Sequence, residues 1–171
     1  MCQTDTMQPD KFTVNYVIVS PSRWGRTLLT AAAASPLVTF AGVTSRERTN
    51  AQNIVDQFGG RIYDTYEAAL DDPAVDAVLL PTPNFLHYDQ TMAALRSGKH
   101  VLVEKPIANT VEQALQMRAE ARTRGLVLAV GMQGRRTGAA QMVKHMIDDG
   151  QLGRVSLATA MHGAPLLNGR N

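Results

Sequence analysis

"VNYVIVSPSRWGR", residues 14–26, opens as an apolar run, turns through a proline flanked by serines, and closes at the start of an Ala-rich stretch. The run "VNYVIV" (14–19) is short, apolar and rich in valine, as expected of a buried strand. "WGRTLLTAAAA" (24–34) predicts a helix that Ser35-Pro36 ends. A strand that leads through a tight turn into a helix is the first half of a βαβ unit. The fold class depends on whether that unit repeats.

It repeats along the chain. "LVTFAGV" (37–43) predicts a second strand and "ERTNAQNIVDQF" (47–58) a second helix, stopped by Gly59-Gly60. A brief strand "RIY" (61–63) and a short helix over 66–70 precede a fourth strand, "VDAVLLP" (75–81). "HYDQTMAALRSG" (87–98) sets Tyr88, Met92 and Leu95 on one helical face, and "HVLVE" (100–104) is a fifth strand. The stretch from Thr110 to Gln113 matches a capping box that opens a helix to about Arg124, and "LVLAVG" (126–131) is a sixth strand. Val143, Met146 and Ile147 give the next helix its apolar face, and "VSLATAM" (155–161) predicts one more strand.

Short apolar strands alternating with helices indicate an α/β fold, a doubly wound, mostly parallel sheet with right-handed crossovers. Residues 1–12 read as a polar tail and 13–134 as the doubly wound domain. Residues 135–171 read as a crossover helix and the first strand of a second, incomplete α/β domain.

Bulk properties narrow the function classes. The 171 residues are 44% hydrophobic and 19% charged, ordinary values for a globular domain. A formal charge of +2, dispersed along the chain, argues against nucleic acid or an anionic membrane as partner. No apolar run approaches the roughly 18 residues of a membrane span. The N-terminus "MCQTDTMQPDK" lacks the basic and apolar regions of a secretory signal. Cys2 is the single cysteine, so no intrachain disulfide forms, which fits a reducing, cytoplasmic location. No metal is expected.

The turn itself is ambiguous. A phosphate-binding turn of this fold carries G-x-G-x-x-G, for a tight turn, a close backbone approach and close helix packing. Here the three places hold Ser20, Ser22 and Gly25. The two serine hydroxyls can themselves bond a phosphate, Pro21 suits the turn, and a helix N-terminus offers free N–H groups. Arg23 and Arg26 add cations, and Trp24 packs at the mouth or borders a ligand. A serine-capped strand–turn–helix without ligand fits the same residues. At the end of the second strand an NAD site usually places a carboxylate. "TSRER" (44–48) puts Ser45 and Arg46 there instead, a pair suited to the 2′-phosphate of NADP, with NAD as the alternative. The plainer reading of Arg46 is a solvated residue opening a helix.

Two further segments carry a family resemblance. "LLPTPNFLHYDQTMAALRSGKHVLVEKPIANTVEQA" (79–114) contains T-P-N-x-x-H, a helix ending in S-G-K-H, and V-E-K-P-I-A. "YDTYEAALDDPAVDAV" and "GMQGRRTGAAQMVKHMIDDGQLGRV" keep the same register. Over residues 13–162 the chain resembles the Gfo/Idh/MocA oxidoreductases, relatives of glucose–fructose oxidoreductase and inositol dehydrogenase.

The resemblance implies a Rossmann domain that holds NAD(P), followed by a domain that covers the nicotinamide, binds a small-molecule substrate and mediates homo-oligomers. It implies reversible hydride transfer at a hydroxyl or carbonyl carbon of a sugar, cyclitol or related compound. Lys105, the lysine of E-K-P, takes the catalytic place. Pro81, Thr82, Pro83 and Asn84 run under the dinucleotide, Glu104 lies by the nicotinamide ribose and orients Lys105, and Arg135 lies near cofactor and substrate. A lysine half desolvated beside a positive ring has its charged form disfavoured and can then pass a proton. His87 joins the cofactor-binding set, although its place at a helix start reads as capping or packing; His100 and His162 read as structural. A non-catalytic dinucleotide-binding or regulatory module of the same fold is the alternative function, and a ligand-free scaffold a third. Without its second domain, such a unit is expected to expose apolar surface and to self-associate.

Overall fold

The computed structural model describes residues 13–159. The expected polar tail (1–12), Cys2, His162 and the last residues of the expected strand at 155–161 lie outside these. The chain divides into two compact units, Met1–Gly131 and Met132–Asn171.

The first unit is built on six parallel strands: β1 (Val14–Val19), β2 (Val38–Thr44), β3 (Arg61–Tyr63), β4 (Ala77–Leu80), β5 (His100–Val103) and β6 (Leu128–Val130). Their order is β3-β2-β1-β4-β5-β6. The chain therefore winds outward from β1 on one side and from β4 on the other. That reversal between β1 and β4 is where a doubly wound sheet opens a crevice at its carboxyl edge.

Five helices cover the sheet: α1 (Arg23–Ala33), α2 (Arg48–Phe58), α3 (Tyr66–Leu70), α4 (His87–Arg96) and α5 (Val111–Thr123). The period-2 alternation of the strands sorts their side chains into two cores. Tyr16, Ile18, Val43 and Leu79 pack with Leu29 of α1 and with Ala51 and Ile54 of α2. On the opposite face Val78, Leu80, Val101 and Val103 pack with Met92 and Leu95 of α4 and Met117 of α5. Leu29, Ile54, Leu95 and Met117 are fully buried, each stabilising by about 1.5–3 kcal/mol on area grounds.

Strand ends follow from donors and acceptors. Val75, expected inside β4, stays outside it because its carbonyl accepts the buried Nζ of Lys99 at 2.8 Å, which also donates to the Asp72 carbonyl at 2.8 Å. Pro81 ends the same strand because it has no N–H to donate. Thr110 caps α5 as expected, its hydroxyl accepting from the Gln113 N–H at 3.2 Å. The Gln113 side chain reaches one residue further back than a capping box requires, accepting from the Asn109 N–H at 3.1 Å.

One part of a sheet face within this unit lacks a helix. Over β4 to β6, on the side of α1, a hollow of about 260 Å³ is lined by Tyr16, Leu79, Val101, Leu102 and Ala129. Apolar surface of the kind the sequence leads one to expect is therefore present.

The second unit holds a 3₁₀ turn, Gln133–Arg136, and α6 (Gly138–Asp148), capped by Thr137, whose hydroxyl accepts from the Ala140 N–H at 3.3 Å. The strand expected at 155–161 does not form over its described residues, 155–159. A β-strand exists only by hydrogen bonding to a neighbour, and the described part of this unit contains no other strand.

Candidate active site

The turn after β1 has the backbone of a phosphate loop. Ser20, in the first glycine place, adopts φ +45°, the left-handed conformation glycine takes without strain. Its N–H donates to the Thr44 carbonyl at 2.7 Å and ties the turn to the end of β2. Ser22 precedes α1 in extended conformation and makes no side-chain capping bond, so its hydroxyl is not engaged by the helix. The serine-capped reading of the turn fails on this point. The N–H groups of Arg23, Trp24 and Gly25 have no acceptor within the helix. At Gly25 a β-carbon would lie 2.8 Å from Pro21 Cβ and 3.0 Å from Pro81 Cγ. Glycine there is what lets the helix start approach both loops.

Two side chains brace the turn from α2. Asn50 Nδ2 donates to the Pro21 carbonyl at 3.0 Å, and Arg26 Nη2 donates to Asn50 Oδ1 at 2.6 Å. Arg26 therefore serves the scaffold and not the loop's anion side. Asn50 was not legible in the sequence, because its partner lies 29 residues away and neither residue type marks the contact.

Ser20, Ser22, Arg46, Pro81, Thr82 and Pro83 line a single cleft of about 600 Å³. A second hollow of about 270 Å³ shares Ser20 and Arg46 with it and adds Ser45, Asp64, Thr65 and Tyr66. Ser45 Oγ accepts from the Glu47 N–H at 3.2 Å and shapes the start of α2. The neighbouring Arg48 is paired with Asp64 at 2.8 Å, whereas Arg46 has no such partner among the described residues. Arg23 and Trp24 (39% exposed) stand on the outer first turn of α1, apart from the cleft wall.

The T-P-N turn and the E-K-P loop are stitched together. His87 is 1% exposed, with Nδ1 at 2.7 Å from the Pro106 carbonyl and Nε2 at 2.8 Å from the Thr82 carbonyl. This is the packing role, carried out between the two motifs. Asn84 Nδ2 adds a second stitch, donating to Asn109 Oδ1 at 3.2 Å. The peptide between Lys105 and Pro106 is cis.

Glu104 is 7% exposed, and its Oε2 accepts from the main-chain N–H of Lys105 at 3.3 Å, not from the ammonium. The Lys105 side chain stands exposed at the carboxyl end of β5, so the desolvation expected of it is not supplied by its own unit. Arg135 belongs to the 3₁₀ turn of the second unit. No cluster of His, Cys, Asp or Glu that could hold a metal ion occurs among the described residues, and no helix there is long and apolar enough to cross a membrane.

Comparison with known proteins gives the same frame. Residues 14–132 match a family model described as GFO_IDH_MocA, oxidoreductase family, NAD-binding Rossmann fold. The chain is 36% identical over 140 residues to a dTDP-3,4-didehydro-2,6-dideoxy-alpha-D-glucose 3-reductase of Actinomadura kijaniata, covering 82% of this chain and 42% of that protein. It is 41% identical over 107 residues to a 1,5-anhydro-D-fructose reductase of Ensifer adhaerens, covering 63% of this chain and 32% of the relative. A crystal structure of KijD10, a 3-ketoreductase from A. kijaniata in complex with NADP and TDP-benzene, superposes with a TM-score of 0.76 at 33% identity, covering 81% of this chain and 43% of that one. The chain thus spans less than half the length of these relatives.

Proposed function

The chain belongs to the GFO_IDH_MocA oxidoreductase family, and on that premise we propose that it supplies the NADP-holding part of an enzyme that reduces the carbonyl of a keto sugar or related small molecule, or oxidises the corresponding hydroxyl. The observation that carries this reading is the cleft that Ser20, Ser22 and Arg46, which has no ion-pair partner among the described residues, line together with Pro81, Thr82 and Pro83. The residues fit a dinucleotide. Ser22's free hydroxyl and the first N–H groups of α1 suit a pyrophosphate, and the missing β-carbon of Gly25 lets that helix start close on Pro21 and Pro81. Arg46, with Ser45 beside it, suits a 2′-phosphate, which supports NADP over NAD.

When bound, the nicotinamide supplies or accepts the hydride. Lys105 Nζ gives a proton to the carbonyl oxygen in reduction and takes it from the hydroxyl in oxidation. Glu104 holds the Lys105 main chain through its N–H, and His87 holds the following residue through the Pro106 carbonyl. The lysine is thus aimed by its backbone and left free at its tip. Arg135 is assigned to the cofactor and substrate side on the resemblance alone. Substrate recognition and homo-oligomer contacts are assigned to polypeptide beyond this domain, and the hollow beside Tyr16 and Leu102 supports burial against such polypeptide. A cytoplasmic location fits the single cysteine.

Trp24, the single tryptophan, stands on the first turn of α1 and serves as the reporter for the test. Fluorescence titration should give saturable NADPH binding, tighter than NADH. Arg46→Ala should lower the NADPH affinity by about 10-fold or more, the value of a charge-assisted bond, and leave NADH nearly unaffected. Lys105→Ala should keep nucleotide affinity while turnover falls by about 10²–10⁴. Binding of both nucleotides with no dependence of turnover on Lys105 would move the protein to the regulatory reading.

A further inference from the structure

Gln90 lies on α4, one turn after His87, and is held from two sides. Its main-chain carbonyl accepts the hydroxyl of Tyr66 at 2.8 Å, and its side-chain Oε1 accepts the hydroxyl of Thr82 at 2.7 Å. Both donors are themselves fixed: Thr82 is 6% exposed, and Tyr66 packs against the core between β4 and α4. With Oε1 accepting from Thr82, Nε2 carries two N–H donors. No partner for them occurs among the described residues.

The position of this amide gives it a use. Ser20, Arg46 and Gln90 are the three residues that line both the 600 Å³ cleft and the 270 Å³ hollow beside it. They mark the passage between the two. The hollow is bordered by the end of β2 and the start of α3, whereas Lys105 follows β5. In the order β3-β2-β1-β4-β5-β6, β2 and β5 lie on opposite sides of the β1–β4 switch. An extended dinucleotide with its reactive ring towards Lys105 puts its adenosine half into the hollow.

We propose that Gln90 is a nucleotide-binding residue, whose Nε2 donates to the adenosine half of the dinucleotide where it enters this hollow. The inference rests on the NADP reading above. A neutral amide suits the place: it offers donors to ring nitrogens, ribose oxygens or phosphate and adds no charge to a hollow that Asp64 and Glu67 already line beside Arg46.

Calorimetric titration with three probes tests it: NADPH, adenosine 2′,5′-bisphosphate and nicotinamide mononucleotide. Gln90→Glu keeps the chain length and the acceptor for Thr82, and replaces both donors with a negative charge. It should weaken NADPH and the bisphosphate by the same factor, about 10-fold or more, and leave the mononucleotide unchanged. Gln90→Met, which adds no charge, should weaken both by about 3–10-fold and serves if the glutamate variant does not fold. Wild-type protein that binds neither NADPH nor the bisphosphate overturns the cofactor reading itself. Wild-type protein that binds both, with the Gln90 variants binding them equally well or losing the mononucleotide to the same degree, overturns the role of Gln90 alone.

Discussion

A β-carbon on Gly131 would lie 2.3 Å from Oε1 of Glu104, so the buried carboxylate that follows β5 occupies room only a glycine after β6 leaves open. The Gly131 N–H donates to the Val103 carbonyl at 2.8 Å, which fixes the glycine's main chain against the same strand end. The carboxylate is the movable party, and Gly131→Ala should displace it from the Lys105 N–H. Unfolding midpoints should show the cost of Gly131→Ala shrinking in a Glu104→Ala background, because the obstacle is then gone. Equal costs in both backgrounds would mean that the two residues do not compete for space.

Ser20 carries a side chain at φ +45°, where a non-glycine residue costs roughly 1–2 kcal/mol. Glycine returns part of that gain through greater freedom in the unfolded chain, about 0.5–1 kcal/mol. Ser20→Gly should therefore stabilise by about 1 kcal/mol or less, a rise of up to about 4 °C in Tm at this size. NADPH affinity should fall as the hydroxyl is lost. The opposite signs are the diagnostic; a variant both less stable and tighter-binding would contradict the assignment.

Burial raises the Tyr66 phenol, with the adjacent Glu67 carboxylate adding to the effect. The folded state thus holds this proton more tightly than the unfolded chain, whose phenol titrates near pH 10. The stability it confers is complete below about pH 10 and declines as the pH rises further. Chemical denaturation between pH 9 and 12 should give a steeper decline for the wild type than for Tyr66→Phe. At neutral pH the same variant should lose about 0.5–1.5 kcal/mol with its bond to the Gln90 carbonyl.

Thr91 lies fully buried on α4 with an Oγ1 that has no hydrogen-bond partner among the described residues. An unsatisfied buried hydroxyl costs about 1–3 kcal/mol, and valine has nearly the same shape. Thr91→Val should raise Tm, whereas Thr91→Ser should lower it by opening a methyl-sized gap.

What the sequence conveyed was what depends on short-range pattern. The valine-rich runs, the amphipathic helices and Thr110 as a cap all follow from periods of 2 or 3.6 and from local donor accounting, and six strands and their helices stand where those patterns predict. The strand expected at 155–161 is absent over its described residues, 155–159, because pairing is a property of a neighbour that hydropathy cannot announce. T-P-N, a local motif, contributes Thr82 and Pro83 to the lining of the candidate cleft. Asn50 and Gly131 were not legible, because each acts through a residue met only across the fold, by a bond to Pro21 and a steric contact with Glu104; Gln90 bonds Thr82 eight residues earlier, but neither residue type marks that contact. Ser22 shows the converse, a residue whose type suggests a cap while its geometry leaves the hydroxyl free.

The imidazole lodged between Thr82 and Pro106 makes two loops into a single machine part. Arg46 and Ser20 stand outside that part, on segments tied to β2 and α2. On the proposed reading, choice of coenzyme and delivery of the proton are therefore separable traits in this architecture. An engineer, or natural selection, can retune the first by exchanging residues at the β2 end while the second stays in register.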